Sequence, residues 1–220
     1  MLGQDAPQIE LALGQRGILT RATTAYVNVT LEKLLPALAM PDPHEFDYID
    51  EVRCEVGGRS ASVEEANEIV SDLEQGLIAD QRALQRQARD FAFVALFHLL
   101  ERTVKKVLLD ADRMHDGAML KGKDPKDFNA MLGVLARCGY VTDGKPFAPN
   151  LRKLNLISNA IKHGQGPSLS RLAGEFPELI LYGQPGRPLA PDQVFLTAEL
   201  LRELAASVAD FWGAFPIGDY

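Results

Sequence analysis

The stretch that most restricts how this chain can fold runs from Phe91 to Leu109, where apolar residues fall on nearly every side of a helical projection: Phe93, Leu96, Phe97, Leu100, Val104 and Leu108 among them. A helix that is apolar all round belongs at the centre of a bundle. Its strongly apolar part, Phe91 to Leu100, is about half the length needed to cross a bilayer, so a membrane span is not expected. The charged pair Glu101-Arg102 interrupts the run. A carboxylate at that depth requires a donor, and Lys162, Arg152 or, through i,i+4 pairing, Lys105 can supply one.

The elements around this helix are readable from spacing and caps. A helix is expected over about 16–39, although its β-branched residues also suit a strand. Pro41, Pro43 and an acidic cluster mark a loop that Gly57-Gly58 closes, and the tract from Phe46 to Val56 gives no clear periodicity. Ser62 and Glu65 form a capping box for a helix from Val63, with Ala66, Ile69, Val70, Leu73 and Leu77 on its apolar face. A break near Ala79-Asp80 is expected, because helices beyond about 25 residues are unusual in compact domains. Asp116-Gly117 ends the central helix; Asp124 as cap and Pro125 as first-turn residue begin the next, which stops at Gly139. Ser168 is expected to cap a short helix through Phe176. Residues 180–196 form a Pro/Gly-rich loop with room for a short strand pair between Leu179–Tyr182 and Val194–Leu196. A final helix follows from Ala198 to Phe215. These readings give an all-α fold: a single-domain bundle of five to seven helices over 1–220, less regular over 1–60, with a small β element near 179–196.

The chain has 220 residues, 46% of them apolar and 24% charged, with a net charge of −7. That is enough apolar sequence for one well-buried core. The overall charge argues against generic DNA binding, yet residues 101–165 carry 12 Lys/Arg against 7 Asp/Glu, so the basic charge is concentrated. A solvated surface of mixed sign and an RNA-binding groove both account for it. The two cysteines, Cys54 and Cys138, make neither a disulfide framework nor a zinc site and read as reduced thiols, one in a loop and one at a helix end. No cofactor and no metal are expected: the histidines lack ligand spacing, and Gly-rich phosphate loops and nucleophile elbows are missing. The N-terminus carries no secretory pattern, and a cytoplasmic setting is expected.

Asn150 to Ser168, NLRKLNLISNAIKHGQGPS, carries the chemistry. As a helix it sets Leu151, Leu154, Ile157 and Ile161 on one side and Arg152, Asn155, Asn159, Lys162 and His163 on an opposite arc. Gly164 is the expected left-handed cap. His163 suits acid–base work near neutral pH; a last-turn histidine also simply complements the helix dipole. Lys162 can hold a phosphate, and Asn159 can bind one or fix the imidazole tautomer.

Asn159-Ala160-Ile161-Lys162-His163-Gly164 resembles the end of the fourth helix of HEPN domains, whose signature is Arg, usually followed by Asn, with His four to six residues after the Arg. The resemblance implies a helical, commonly dimeric fold and metal-independent RNA cleavage by Arg and His together. It sets Asn159 and His163 in the family's places, but Ser158 stands where the Arg belongs. The nearest arginine on the polar arc is Arg152, eleven residues before His163 and so about 16 Å from it along the axis. The wider run His163 to Ser168 with Phe176-Pro177-Glu178-Leu179 also resembles uncharacterised bacterial helical proteins that carry Asn-Ala-Ile-Lys-His without the Arg. Three readings follow. In the first, the chain is a degenerate HEPN-like protein that binds RNA or a protein partner, in bacterial defence or a toxin–antitoxin system, and is not strongly nucleolytic. In the second it is a metal-independent endoribonuclease with His163, Asn159 and Lys162 as catalytic residues and a cation donated across a homodimer. In the third it is a helical interaction module. Arg152, Asn155 and Glu101 are the candidate substrate-binding residues.

Overall fold

The computed structural model describes residues 9–11, 13–38, 54–58, 62–181 and 189–216. The described residues are helical with no named strand, which gives the all-α fold that the periodicity predicts. In chain order the helices are α1 (Leu13–Val29), α2 (Leu35–Ala37), α3 (Val63–Met114), α4 (Phe128–Arg137), α5 (Ala148–His163), α6 (Pro167–Glu175) and α7 (Ala198–Gly213). A π-helical stretch, Thr30–Leu34, joins α1 to α2. The β-branched residues of 16–39 are therefore helical, and three threonines of α1 return their hydroxyls to the carbonyl four residues earlier. The acidic loop around Pro41 and most of the Phe46–Val56 tract lie outside the described residues, as does Gly183 to Gly186.

By its internal contacts the chain divides into two compact units, Met1–Val29 with Phe91–Tyr220, and Thr30–Asp90. In the smaller unit Val70 is buried, and Gln81 and Gln85 both donate to the Leu38 carbonyl. Ser62 accepts from the Glu65 N–H as its capping position requires. The apolar face read from the sequence is only partly covered: Ile69, Leu73 and Leu77 remain exposed.

In the larger unit α1 packs on α7, and α5 packs on both α6 and α7. Phe93, Leu96, Phe97, Leu100, Val104 and Leu108 of α3 are all at most 1% exposed, so one face of the apolar run occupies a core. Burial on every side, which the sequence predicts, does not hold: Phe91 is 67% exposed, and Leu99, Val107 and Leu109 are half-buried. The α7 residues Phe211 and Trp212 complete that core with Phe215, Tyr140 and Phe147 in a run of edge-on and tilted ring contacts. Tyr140 is anchored there by a 2.6 Å hydrogen bond from its hydroxyl to the Phe211 carbonyl.

Several local expectations are corrected. α3 is unbroken for 52 residues, so no break occurs at Ala79-Asp80; Gly76 costs about 1 kcal/mol relative to Ala, which a long helix tolerates. It ends at Met114, and Asp116 and Gly117 then take φ of 49° and 76°, as a stop signal there predicts. α4 is capped by Asp127, whose carboxylate accepts from the Ala130 N–H at 2.8 Å, rather than by Asp124. Asp124 instead pairs with Lys105 at 2.8 Å. Ser168 lies inside α6, because Pro167 occupies the first turn and puts the cap at Gly166. The strand pair reduces to one antiparallel bridge, Ile180 to Val194. Cys138 is buried at the end of α4, where burial raises its thiol pKa, and Cys54 is exposed.

Candidate functional site

α5 begins at Ala148, and Pro149 sits in its first turn, where a missing N–H costs nothing. Leu151, Leu154 and Ile157 are buried, as their spacing predicts. Ser158, which lies within that stripe, is buried with them; Leu156 and Ala160, outside it, are buried too, and Ile161 is only half-buried. α5 packs on two helices at once, and Ala160 and Leu156 extend the predicted stripe on one side.

Ser158 is the most consequential of these. It is 0% exposed, and its Oγ has no hydrogen-bond partner. The position where the HEPN signature carries arginine is thus a core position in this chain. Exposed at the other end of the segment are Lys162 and His163. The Lys162 ammonium sits over the Phe97 ring, 5.5 Å from its centroid, a cation–π contact that fixes the side chain along α3. Gly164 follows with φ 67° and ψ −136°, so the stop needs a positive φ as expected, but in the glycine-only extended region and not the left-handed helical one.

Asn159 and Asn155 form a pair, the Asn159 amide donating to the Asn155 side-chain oxygen at 2.7 Å. Arg152 donates to both carboxylate oxygens of Glu175 on α6, at 2.5 and 2.6 Å. The hydrogen bonds from that guanidinium hold the Glu175 carboxyl below its ordinary pKa. Lys153 is tucked under the same helix, over the Phe176 ring at 4.9 Å, with Glu178 at 3.6 Å.

Arg152 and Asn155 open onto a groove of about 870 Å³ between α4, the 142–147 turn, α5 and α6. Lys145 and Arg171 add two further cations to its lining, Asn129 and Thr142 add polar groups, and Asp143 and Glu175 are its acids. Phe128 and Phe176 give it an apolar floor. The predicted site residues therefore separate: Arg152 and Asn155 line the groove, with Asn159 joined to them through its amide, while Lys162 and His163 stand beyond it at the helix end. Glu101 is apart from both. Its donor is His98 of the same helix, at 3.3 Å, and not Lys162, Arg152 or Lys105. One turn along α3 brings these two side chains together, whereas each alternative cation is engaged elsewhere.

Sequence reading missed Lys145, Arg171 and Glu175. The Arg152–Glu175 contact joins residues 23 apart on two helices, and no periodicity connects them. Arg171, four residues before Glu175 on α6, carried a weak signal as an i,i+4 opposite-charge pair. Among the described residues no group of three or more His, Cys, Asp or Glu is arranged to hold a metal ion, and no helix is long and apolar enough to cross a membrane. No protein-family model, no curated protein and no solved structure matches the chain.

Proposed function

We propose that the chain is a degenerate HEPN-like protein that binds RNA beside α5 without cleaving it efficiently. The observation that carries the binding is the groove, in which Lys145 and Arg171 line one concave surface with the side-chain amides of Asn129 and Asn155, while Arg152 is paired with Glu175 and Asp143 is the remaining acid. Cations and amides in a concave wall suit phosphate and base edges. Poor cleavage follows from the charge balance at His163. Metal-independent cleavage must stabilise charge on a pentacoordinate phosphate, and that requires a cation beside the acid–base group. Ser158 lies in the core, Arg152 is bound by Glu175, and Lys162, the cation next to His163, is drawn over the Phe97 ring. The protein's setting in bacterial defence or a toxin–antitoxin pair, and its self-association through α5, rest on the resemblance alone.

The test is incubation of mixed cellular RNA with the full chain in EDTA, read both for complex formation and for chain length of the RNA. The expected result is a complex, weakened about tenfold or more by Arg171→Glu with Lys145→Glu, and RNA of unchanged length. Shortened RNA that stays intact with His163→Ala would establish the ribonuclease reading instead, with Lys162 or a partner copy supplying the charge. Absence of any complex removes RNA from the account and leaves a protein partner.

A further inference from the structure

The outward face of α3 between Phe91 and Arg113 takes no part in the site just described. On this 3.6-residue repeat Phe91, His98, Arg102, Lys106 and Arg113 fall on one side of the helix. Phe97, which carries Lys162, lies well round from that side. Phe91 is 67% exposed, an unusual state for an aromatic ring beside a core helix. Arg102 and Lys106 are exposed as well.

Two shallow grooves run along this face and share Arg102. The first, about 720 Å³, is lined by Tyr26, Phe91, Val94, His98 and Arg102 among others, so its walls are aromatic and aliphatic. The Tyr26 ring is held in place by a 2.8 Å hydrogen bond from its hydroxyl to the Ala92 carbonyl. The second, about 360 Å³, is lined by Arg102, Lys105, Lys106, Leu109, Asp110 and Arg113. Its four cations face one acid in the groove, with Arg113 at 3.5 Å from Asp110 and Lys105 drawn to Asp124 outside it. One continuous surface therefore offers ring faces at one end and cations at the other.

That division matches the two needs of a single nucleic-acid strand, whose bases stack on aromatic rings and whose phosphates track a basic groove. A duplex keeps its bases stacked inside and leaves the rings unused. A lipid surface would require a broad apolar face on the cationic half, which is absent. We infer that the outward face of α3 is a second contact surface, for single-stranded RNA, with bases against Phe91 and Tyr26 and phosphates on Arg102, Lys106 and Arg113. The inference rests on the reading of the chain as an RNA binder and adds a surface on the far side of α3 from Lys162.

The experiment is fluorescence anisotropy of the full chain with a labelled oligouridylate and with a duplex of equal length, over a range of salt. The expected result is preference for the single strand. Arg102→Glu with Lys106→Glu weakens it tenfold or more and flattens the salt dependence, by roughly 0.7 in log–log slope per lost contact. Phe91→Ala weakens the single strand several-fold with the slope unchanged, which a purely electrostatic face would not show. All three positions are exposed, and circular dichroism verifies that the variants fold. If these variants bind like the parent while Arg171→Glu with Lys145→Glu loses binding, this inference falls and the groove beside α5 stands alone. Equal binding of duplex and single strand, indifferent to Phe91→Ala, also overturns it. A parent that binds no RNA overturns both readings, and an acidic peptide held by Arg102 and Lys106 would then identify the face as a protein contact.

Discussion

Ser158 shows how one residue can separate a motif from its chemistry. Read along the chain, it stands where an arginine would complete a catalytic pair; in the fold, it is a core side chain with an unpartnered hydroxyl. A buried hydroxyl without a partner costs about 1–3 kcal/mol. Ser158→Ala removes that hydroxyl at nearly constant volume and should raise stability by about 1 kcal/mol, measured as a higher urea midpoint at unchanged slope. Ser158→Arg should do the reverse. It forces a guanidinium into a closed core, and a drop of at least about 3 kcal/mol is expected from an unpaired buried charge. The arginine variant should therefore fold poorly and not gain nuclease activity. A stable, RNA-cleaving Ser158→Arg protein would show that α5 can turn this face outward, and the core placement would have to be abandoned. The histidine four positions from Asn159 was legible in the sequence, and so was its exposure. The missing arginine was legible too, and so was the burial of its position, because Ser158 falls four residues after Leu154 and seven after Leu151, within the apolar stripe.

At the scale of elements, caps and periods were the dependable signals, and their failures have identifiable causes. The end of α5 at His163 and the positive φ at Gly164 follow from glycine alone. The start of α4 differs from the expectation because Asp124-Pro125 and Asp127 both carry a start signal, and it is the Asp127 carboxylate that accepts from the Ala130 N–H, while Asp124 pairs with Lys105. The continuity of α3 was misjudged on typical length, although no proline interrupts Val63–Met114. The groove beside α5 was invisible for another reason: four separate elements line it, and only two of its polar residues lie on the motif helix. Gly76 offers a test at this scale. It sits mid-helix, and a Cβ there would meet no atom within 4 Å. Gly76→Ala should stabilise the protein by up to about 1 kcal/mol through helix propensity and the lost freedom of the unfolded chain. Thr197, whose hydroxyl accepts from the Leu200 N–H at 3.1 Å, tests a cap of the opposite sign. Thr197→Ala should cost about 1 kcal/mol, and thermal melts of the two variants should move in opposite directions.

The response of the whole molecule to pH is set in part by Asp90, the last residue of the smaller unit. Burial pushes its carboxyl from 3.8 up to about 6, against the opposing pull of Arg86 and Arg89. In the unfolded chain the same carboxyl titrates near its ordinary value. Between these limits the folded state holds a proton that the unfolded state has released, so stability contributed by Asp90 is complete below the lower value and is lost as pH rises through the window. At neutral pH the ionised side chain therefore opposes folding. Asp90→Asn, which keeps the shape and removes the charge, should stabilise the protein at pH about 7 by on the order of 1 kcal/mol, after discounting the shift for a side chain that water still reaches. Below pH about 4 both states of the parent are protonated, and the advantage of the variant should vanish. Urea midpoints of parent and variant, taken on each side of the window, measure this directly. A gain that is equal at both pH values would trace to the amide's hydrogen bonding. A loss at neutral pH would mean that the attraction of Arg86 and Arg89 outweighs desolvation, and Asp90 would then be a paired carboxylate that holds the smaller unit together.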